Sequence, residues 1–600
     1  MSVTVFGELT ADEQTIILMA TGPDHEVARA AAALQTLTPL FKATEPPGAL
    51  QLPATWAAVV QLSATFAGAW RPGPALSAWI TAQLVARTGQ HGDLTVPPPA
   101  GLTPRPYQVA GARLIGMVGS GLLFDDQGTG KTITTILGLR ERHGAGHPVL
   151  PVVIVCPNAV VDSWVEHVHR WAPGWRAVAW RGTPKRRLRL AGTADVYVTS
   201  YGTARMDAGT GDAREIARGK APLLTLGASM VIADEVHKIK SAATSQSRAV
   251  QRIAARAVGF VGLSGTPITH SPKDLWAALY CLSPGAWPSS ERWVHRYCDT
   301  IPGDYADTVI GLRPQSEPEF RDTLLGQYRR VSKADVLADL PPKVYSVRHV
   351  DLPKDYRDAY DTLEKDMLAE LPDGGQLEAM TVLAQLTRLL QLASAAADVK
   401  TWTEIVEDPT TGLEMEKTHQ EVTLRYPSWK VDELLEIMDE RPGQQIAAYA
   451  PSRQLMMLAG QAATAAGYRV GYVVGGQTAK ERTANVEAFQ RGELDLICVT
   501  TGAGGVGITL TAAGTAVFLQ RPWSLVEALQ AEDRQHRIGS ERHSSVEIVD
   551  IVATKTIETR VRSILKERAG QLSDLVQDRR IVEELLGGAE TRDLRKKAAA

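Results

Sequence analysis

Cysteine is scarce. The 600 residues hold only Cys156, Cys281, Cys298 and Cys498, with no Cys-x-x-Cys pair among them, which excludes a thiolate zinc ribbon and a disulfide framework. Long hydrophobic runs are missing too. No segment reaches the roughly 18 uninterrupted apolar residues that a membrane helix requires, so no membrane partner is expected. Neither sign of charge dominates: 64 Lys and Arg face 67 Asp and Glu for a net charge of −3. Any nucleic-acid binding must then come from local patches rather than from the overall field. Near the N-terminus, Glu8, Asp12 and Glu13 stand where a signal peptide would carry Lys or Arg before an apolar run. A cytoplasmic location is expected, nucleoid-associated in a prokaryotic or viral setting. Internal repeats are absent, and low complexity is confined to the end, residues 595–600.

What is present is a globular composition, 44% hydrophobic and 22% charged, on a chain too long for one core, since single cores stop growing near about 250 to 300 residues. Residues 1–95 read as a small α+β accessory piece, with strands at 4–9 and 15–20 and helical spacing at 25–37 and 54–70. The tract Val96-Pro97-Pro98-Pro99-Ala100-Gly101 is a stiff linker, because consecutive prolines favour polyproline geometry. From residue 102, short apolar runs (122–124, 152–156, 195–199, 230–233, 259–263) alternate with helical segments, the pattern of a parallel sheet wrapped by helices. A mostly helical stretch from 272 to about 440 follows. A second strand series then runs 445–449, 469–474, 494–500, 516–519 and 546–552. Domain boundaries are expected at 1–95, 96–270 for the first lobe, 271–440 for a helical insertion and linker, 441–570 for the second lobe, and 571–600 for a helical tail.

The strongest chemical signal is residues 125–132 (DDQGTGKT), between a short strand and a helical run. Such a loop aims backbone N–H groups and a helix N-terminus at phosphate oxygens, so Gly128, Thr129 and Gly130 become candidate nucleotide contacts. Lys131 would meet the terminal phosphates and the Thr132 hydroxyl would ligate Mg²⁺. The strict phosphate-loop pattern wants glycine where Asp125 stands. About 100 residues later the apolar run 230–233 ends in Asp234 and Glu235. At the carboxyl end of a parallel strand, Asp234 can hold Mg²⁺ through water and Glu235 can polarise an attacking water. An acidic pair alone often does no more than end a strand in solvent, and its pairing with Lys131 is what gives it meaning. Ser264 and Thr266, in residues 263–267 (LSGTP), end a third strand where they could sense a γ-phosphate.

These motifs, together with Asp234-Glu235-x-His237, residues 501–510 (TGAGGVGITL) and residues 530–539 (QAEDRQHRIG), occur in an order that resembles the superfamily 2 helicase-like ATPases. Within the DEAD/DEAH-box helicase-like superfamily the set looks like the Swi/Snf-type DNA translocases, a branch that carries an acidic residue where Asp125 sits. The resemblance covers roughly residues 102–567. It implies two RecA-like parallel-sheet lobes with a helical insertion between them and the small N-terminal α+β domain outside them. It also implies ATP and Mg²⁺ as cofactors and double-stranded DNA as partner, and it leaves room for other DNA-processing or defence proteins.

Residue by residue, Arg105-Pro106-Tyr107-Gln108 is similar to the adenine-reading element, with Gln108 on the base edge. Gly507 and Gln530 fall among the family's nucleotide contacts, and His237, Ser264 and Thr266 among its coupling residues. Pro157, Thr199, Ser200, Thr501 and Trp523 match positions that contact DNA, and residues 329–343 resemble the segment bridging the lobes. Arg534 and Arg537 match arginines that cross from the second lobe to stabilise phosphoryl transfer, worth about 10³ to 10⁵ in rate. The implied function is an ATP-dependent motor on duplex DNA. A strand-separating DNA or RNA helicase and a non-hydrolysing ATP-gated clamp or scaffold are its rivals, the latter disfavoured because Lys131, Asp234, Glu235, Arg534 and Arg537 are all present.

Three further features invite other readings. The Gly502-x-Gly504-x-x-Gly507 pattern matches a dinucleotide fingerprint but lacks an acidic residue at the end of the next strand. The basic cluster at residues 185–189 reads more readily as a solvated face than as a track for phosphates. His167 and His169, two apart on an expected helix, point to different sides and so make a poor metal pair.

Overall fold

A computed structural model describes residues 3–563, apart from 14, 38–41, 44–48, 67, 89–91, 266–271, 303–306, 325, 338, 367, 371–375, 379–381, 408–413, 503–507 and 561. The expected C-terminal helical tail lies outside the described residues. The chain forms two compact units, Met1–Ala338 and Asp339–Ala600. No helix among the described residues is long and apolar enough to cross a membrane.

The first unit is built on a seven-stranded parallel sheet in the order Tyr328–Arg329, Gly121–Leu123, Gly259–Leu263, Met230–Asp234, Val152–Cys156, Val196–Ser200, Ala177–Ala179. Its central strands, VVIVC and MVIAD, are buried at every position, which is why they read as continuous apolar runs rather than alternations. The outer strands at residues 177–179 and 328–329 are too short to leave a periodic signal, and the sequence reading did not find them.

The N-terminal piece is a five-stranded sheet, Lys42–Ala43, Ala49–Pro53, Thr15–Thr21, Thr4–Leu9, Trp70–Pro72, mostly antiparallel, with helices Asp24–Leu37, Trp56–Phe66 and Pro74–Thr88. The helix expected at 54–70 therefore stops at Phe66, and Trp70 opens a strand. Helix Trp56–Phe66 is apolar nearly all round and buries Trp56 through Leu62. It packs in the first unit: Gln61 Nε2 donates to the Ala286 carbonyl at 2.6 Å and Arg296 reaches Thr65 Oγ1 at 3.1 Å.

The second unit carries a six-stranded parallel sheet, Lys343–Val350, Val546–Ala553, Thr515–Phe518, Ile446–Ala450, Leu496–Thr500, Val470–Val473. Apolar cores line both faces, one around Tyr360, Leu434 and Met456, the other around Tyr449, Phe489 and Phe518. Two parallel-sheet lobes and a small N-terminal α+β region are thus present as expected.

The stretch 272–440 needs correction, because it is not mostly helical. It holds the hairpin Cys298–Ile301/Thr308–Leu312, the twelve-residue hairpin Ala396–Glu407/Glu414–Arg425, and the strand Lys343–Val350 that forms an edge of the second sheet. Residues 401–405 are exposed on both faces of the long hairpin, so it lacks the period-2 burial that identifies a strand from sequence.

Candidate functional site

Three neighbouring strands of the first sheet deliver the site. Gly121–Leu123 runs into the phosphate loop, Gly259–Leu263 into Ser264, and Met230–Asp234 into Glu235. All are parallel, so their carboxyl ends share one edge, where ligands of open α/β sheets bind. The loop turns through left-handed glycines, Gly128 (φ 79°) and Gly130 (φ 82°), and helix Lys131–Gly144 begins directly after it. A Cβ on Gly130 would lie 2.4 Å from Gln108 Nε2.

Lys131 Nζ curls back onto the Asp125 and Asp126 carbonyls at 2.7 and 3.0 Å. Gln108, buried on helix Pro106–Val118, spans two elements: its Oε1 accepts from Arg105 N and its Nε2 donates to the Thr129 carbonyl, both at 2.9 Å. Tyr107 Oη donates to that same carbonyl at 3.0 Å. Thr132 sits half-buried in the first turn of the helix.

Asp234 and Glu235 are both buried. Trp164 Nε1 donates to Asp234 Oδ2 at 2.8 Å, and the Glu235 N–H to its Oδ1 at 3.0 Å. Burial, and for Asp234 the neighbouring Glu235 charge, push both carboxyls above the ordinary range. Glu235 adopts φ 54°, ψ 54°, a left-handed conformation that costs a non-glycine residue about 1 to 2 kcal/mol. Tyr201 Oη donates to the Asp234 carbonyl at 2.7 Å and helps to hold this backbone. Gln127 of the phosphate loop reaches Glu235 Oε1 at 3.3 Å. His237 Nδ1 lies 3.0 Å from Ser264 Oγ and 3.3 Å from Glu235 Oε2. Burial, with Lys238 and Lys240 nearby, lowers the His237 pKa to about 3, so the ring is neutral. Thr266 lies outside the described residues.

The structure therefore brings Gln108, Gly128, Thr129, Gly130, Lys131, Asp234, Glu235, His237 and Ser264 together. It adds Gln127 of the phosphate loop, Trp164 and Tyr201, to which the sequence reading gave no role at this site. Among the expected DNA contacts of this unit, Pro157 follows strand Val152–Cys156 directly, and Ser200 caps helix Tyr201–Asp207 by accepting from Thr203 N. Thr199 requires a correction: it is fully buried with its hydroxyl on the Trp180 carbonyl at 3.1 Å, so its side chain cannot face a DNA backbone. Within the basic cluster, Lys185, Arg186 and Arg189 are exposed. Arg187 is not, for it forms a buried bidentate pair with Asp207 at 2.6 and 2.7 Å.

In the second unit, Arg534 and Arg537 lie just beyond helix Leu525–Glu532. Arg534 is buried, donates to the Thr501 carbonyl at 3.2 Å and stands over the Tyr449 ring at 5.8 Å. Arg537 is half-buried and donates to the Ile508 carbonyl and Thr509 Oγ1 at 3.3 and 3.2 Å. Burial lowers the pKa of both guanidinium groups. Thr501 is buried, Gln530 half-buried and Trp523 41% exposed, while Gly507 lies outside the described residues.

Residues 79–397 match the SNF2-related domain and residues 429–539 the helicase conserved C-terminal domain. YwqA of Bacillus subtilis, provisionally named an ATP-dependent helicase/translocase, is 28% identical over 495 residues, covering 80% of this chain and 50% of YwqA. The ISWI chromatin-remodeling complex ATPase CHR17 of Arabidopsis thaliana is 26% identical, covering 80% of this chain and 43% of its own. The chain thus spans half or less of the length of these relatives. A solved Sulfolobus solfataricus SWI2/SNF2 ATPase core is 20% identical with a TM-score of 0.37, covering 82% of this chain and 99% of that one. With half its length inside the first domain and the second following in order, the chain belongs to the SNF2-related family.

Proposed function

We propose that the protein is a DNA-dependent ATPase that couples ATP hydrolysis to movement along double-stranded DNA. The observation that carries the reading is the convergence of the Lys131 loop, the Asp234–Glu235 pair and the His237–Ser264 contact at adjoining strand ends. The site suits a nucleotide bound with Mg²⁺. Among the described residues no cluster of three His, Cys, Asp or Glu could hold a metal alone, and Mg²⁺ typically takes one or two protein ligands plus substrate phosphates. Asp234 and Thr132 are the residues to hold it. When bound, the ion neutralises charge on the transferred group.

In this reading Lys131 exchanges its loop carbonyls for phosphate oxygens, Gln108 orients the base, and Glu235 accepts a proton from the attacking water. His237 and Ser264 couple that site to the rest of the unit. Arg534 and Arg537 supply positive charge from the second lobe, and Pro157, Ser200 and Trp523 are the DNA contacts that remain, since the Thr501 side chain is buried as that of Thr199 is. Residues 1–95 act as an accessory piece that selects substrate.

The relatives' names, a helicase/translocase and a chromatin-remodeling ATPase, support the same reading. ATPase assays with duplex DNA, single-stranded DNA and RNA at matched salt test it. Duplex should stimulate most, with binding that weakens as salt rises. Equal stimulation by RNA would instead favour a general helicase.

A further inference from the structure

The segment following residue 326 runs alongside the phosphate loop. Leu122 N donates to the Gln327 carbonyl, Phe124 N to that of Arg329 and Asp126 N to that of Val331, at 3.1, 2.8 and 2.9 Å, so the backbone pairing continues past the strand end into the loop. Side chains then grip the two acidic residues. Arg329 Nη1 donates to Asp125 Oδ2 at 2.5 Å and its Nη2 to the Tyr107 carbonyl at 2.7 Å. Arg330 Nη2 meets Asp126 Oδ1 at 3.3 Å, and Lys333 N meets Asp126 Oδ2 at 2.9 Å. The residues gripped by their carboxylates are the same two whose carbonyls hold Lys131 Nζ. Gly111 leaves room for this arrangement, since a Cβ there would lie 2.6 Å from Arg329 Nη1.

We propose that residues 327–333 are a strap that sets the phosphate loop, with Arg329 and Arg330 as positioning residues acting on Lys131 through Asp125 and Asp126. The proposal rests on the nucleotide-binding reading of that loop and assigns it a control element 204 residues downstream, in the last stretch of chain before the second unit begins at Asp339. It also explains the acidic residue where a strict phosphate loop has glycine: Asp125 is the anchor for the strap.

Asp125 is 1% exposed and its Oδ1 has no hydrogen-bond partner. Burial raises its pKa, Arg329 and Lys131 pull it down, and Asp126 pushes it up. Tyr107, the remaining titratable neighbour, feels Arg105, Asp125 and Arg329 together. Without Arg329, only Lys131 would favour the carboxylate.

The test is ATP titration of the full chain as wild type, Arg329→Met, and the charge-free pair Asp125→Asn with Arg329→Met. Breaking a buried pair from one side leaves an uncompensated charge, so Arg329→Met should weaken ATP binding at least about tenfold near pH 8.5. Affinity should recover at lower pH as Asp125 takes up a proton. The double variant should bind well at both. Loss at both pH values without rescue by the double variant would mean a merely structural role, and Arg329→Met affinity equal to wild type would also overturn the strap. If Arg329→Met does not fold, Arg330→Gln carries the test at Asp126: weakened ATP binding supports the strap and wild-type binding overturns it. The Asp125/Arg329 cycle is read in parallel by urea unfolding, which needs no ATP. A wild type that binds no ATP sinks the functional reading, whereas coupling in unfolding with none in ATP affinity sinks the positioning role alone.

Discussion

Arg521 and Arg534 are both largely buried in the second unit, and their surroundings are opposite. Arg521 donates to Asp550 at 2.7 Å and Glu532 at 2.6 Å and lies over the Phe518 ring at 4.1 Å. Burial works against its charge, but Asp550 and Glu532 more than offset that and raise its pKa. Arg534 is held by a backbone carbonyl and an aromatic face, and the nearby Arg537 by a carbonyl and a hydroxyl. Among the described residues neither forms an ion pair, and burial lowers the pKa of both. A guanidinium closed between two carboxylates is a strut whose charge is already spent. One lined by carbonyl and hydroxyl oxygens keeps a net positive charge that an anionic ligand can neutralise.

The sharpest way to break this comparison is to remove one arginine of each kind. Arg537→Ala should leave ATP binding by the first lobe largely intact and cut DNA-stimulated turnover about 10³-fold or more, because the charge acts mainly on the transition state. Tenfold weaker ATP binding with unchanged maximal turnover would make it a ground-state contact instead. Lys131→Ala, which strips the loop of its cation, should abolish hydrolysis and so sets the floor of the assay. Glu235→Gln comes next: turnover should fall about 10² to 10⁴-fold with ATP still bound, since the amide keeps the shape but cannot accept the proton. Hydrolysis near the wild-type rate in that variant would remove Glu235 from the mechanism.

Arg521→Met should act on stability rather than on chemistry. It removes the shortest ion pair of both Asp550 and Glu532, leaving Arg562 at 3.4 Å on the first, and Lys343 at 3.3 Å with the Tyr345 hydroxyl at 2.9 Å on the second. The loss should therefore fall short of the about 3 to 5 kcal/mol that fully unpairing a buried charge costs. Chemical unfolding should show that loss, while the folded fraction retains turnover per molecule. A large turnover defect with unchanged stability would erase the distinction between the two kinds of arginine.

The sequence made the site legible where chemistry compresses into a few adjacent residues. Residues 125–132, Asp234–Glu235 and Ser264 announce themselves because a glycine-rich turn, a lysine and strand-end carboxylates seldom coincide. The parts that brace them are spread along the chain, and no motif announces that bracing role. Trp164 on Asp234, Tyr201 under the Asp234 carbonyl and Arg329 on Asp125 are single side chains made relevant only by the sheet order. Thr199 shows the reverse error, a motif position whose side chain the fold turns inward onto Trp180. At the level of elements, the buried central strands were readable as apolar runs. The edge strand Lys343–Val350 buries only Val350 and exposes Val344 at 47%, too little contrast to separate it from a linker.

A smaller effect tests how far the first unit's site depends on the chain leading into it. Glu141 lies on the helix that starts at Lys131, is buried, and gathers the linker: its Oε2 accepts from Thr95 N and Oγ1 at 3.0 and 2.8 Å, and its Oε1 from Val96 N at 2.6 Å. Arg113 Nη1 donates to the same carboxylate at 2.7 Å. Burial opposes the charge, but the bonds from Val96, Arg113 and Thr95 outweigh it, so the pKa lies below the ordinary carboxylate value. An acid with a depressed folded-state pKa contributes its full stability above the unfolded pKa, and that contribution fades as pH falls through the folded value. Glu141→Gln should therefore cost about 1 to 3 kcal/mol at neutral pH, the range for unpairing a buried charged hydrogen-bond group. The cost should begin to shrink once pH falls below the ordinary Glu value of about 4.3, where the unfolded chain takes up the proton first, and should vanish once pH is below the depressed folded value. Urea unfolding at the two pH values reads the difference, and a cost that stays constant would mean that shape rather than charge fastens the linker to the phosphate-loop helix.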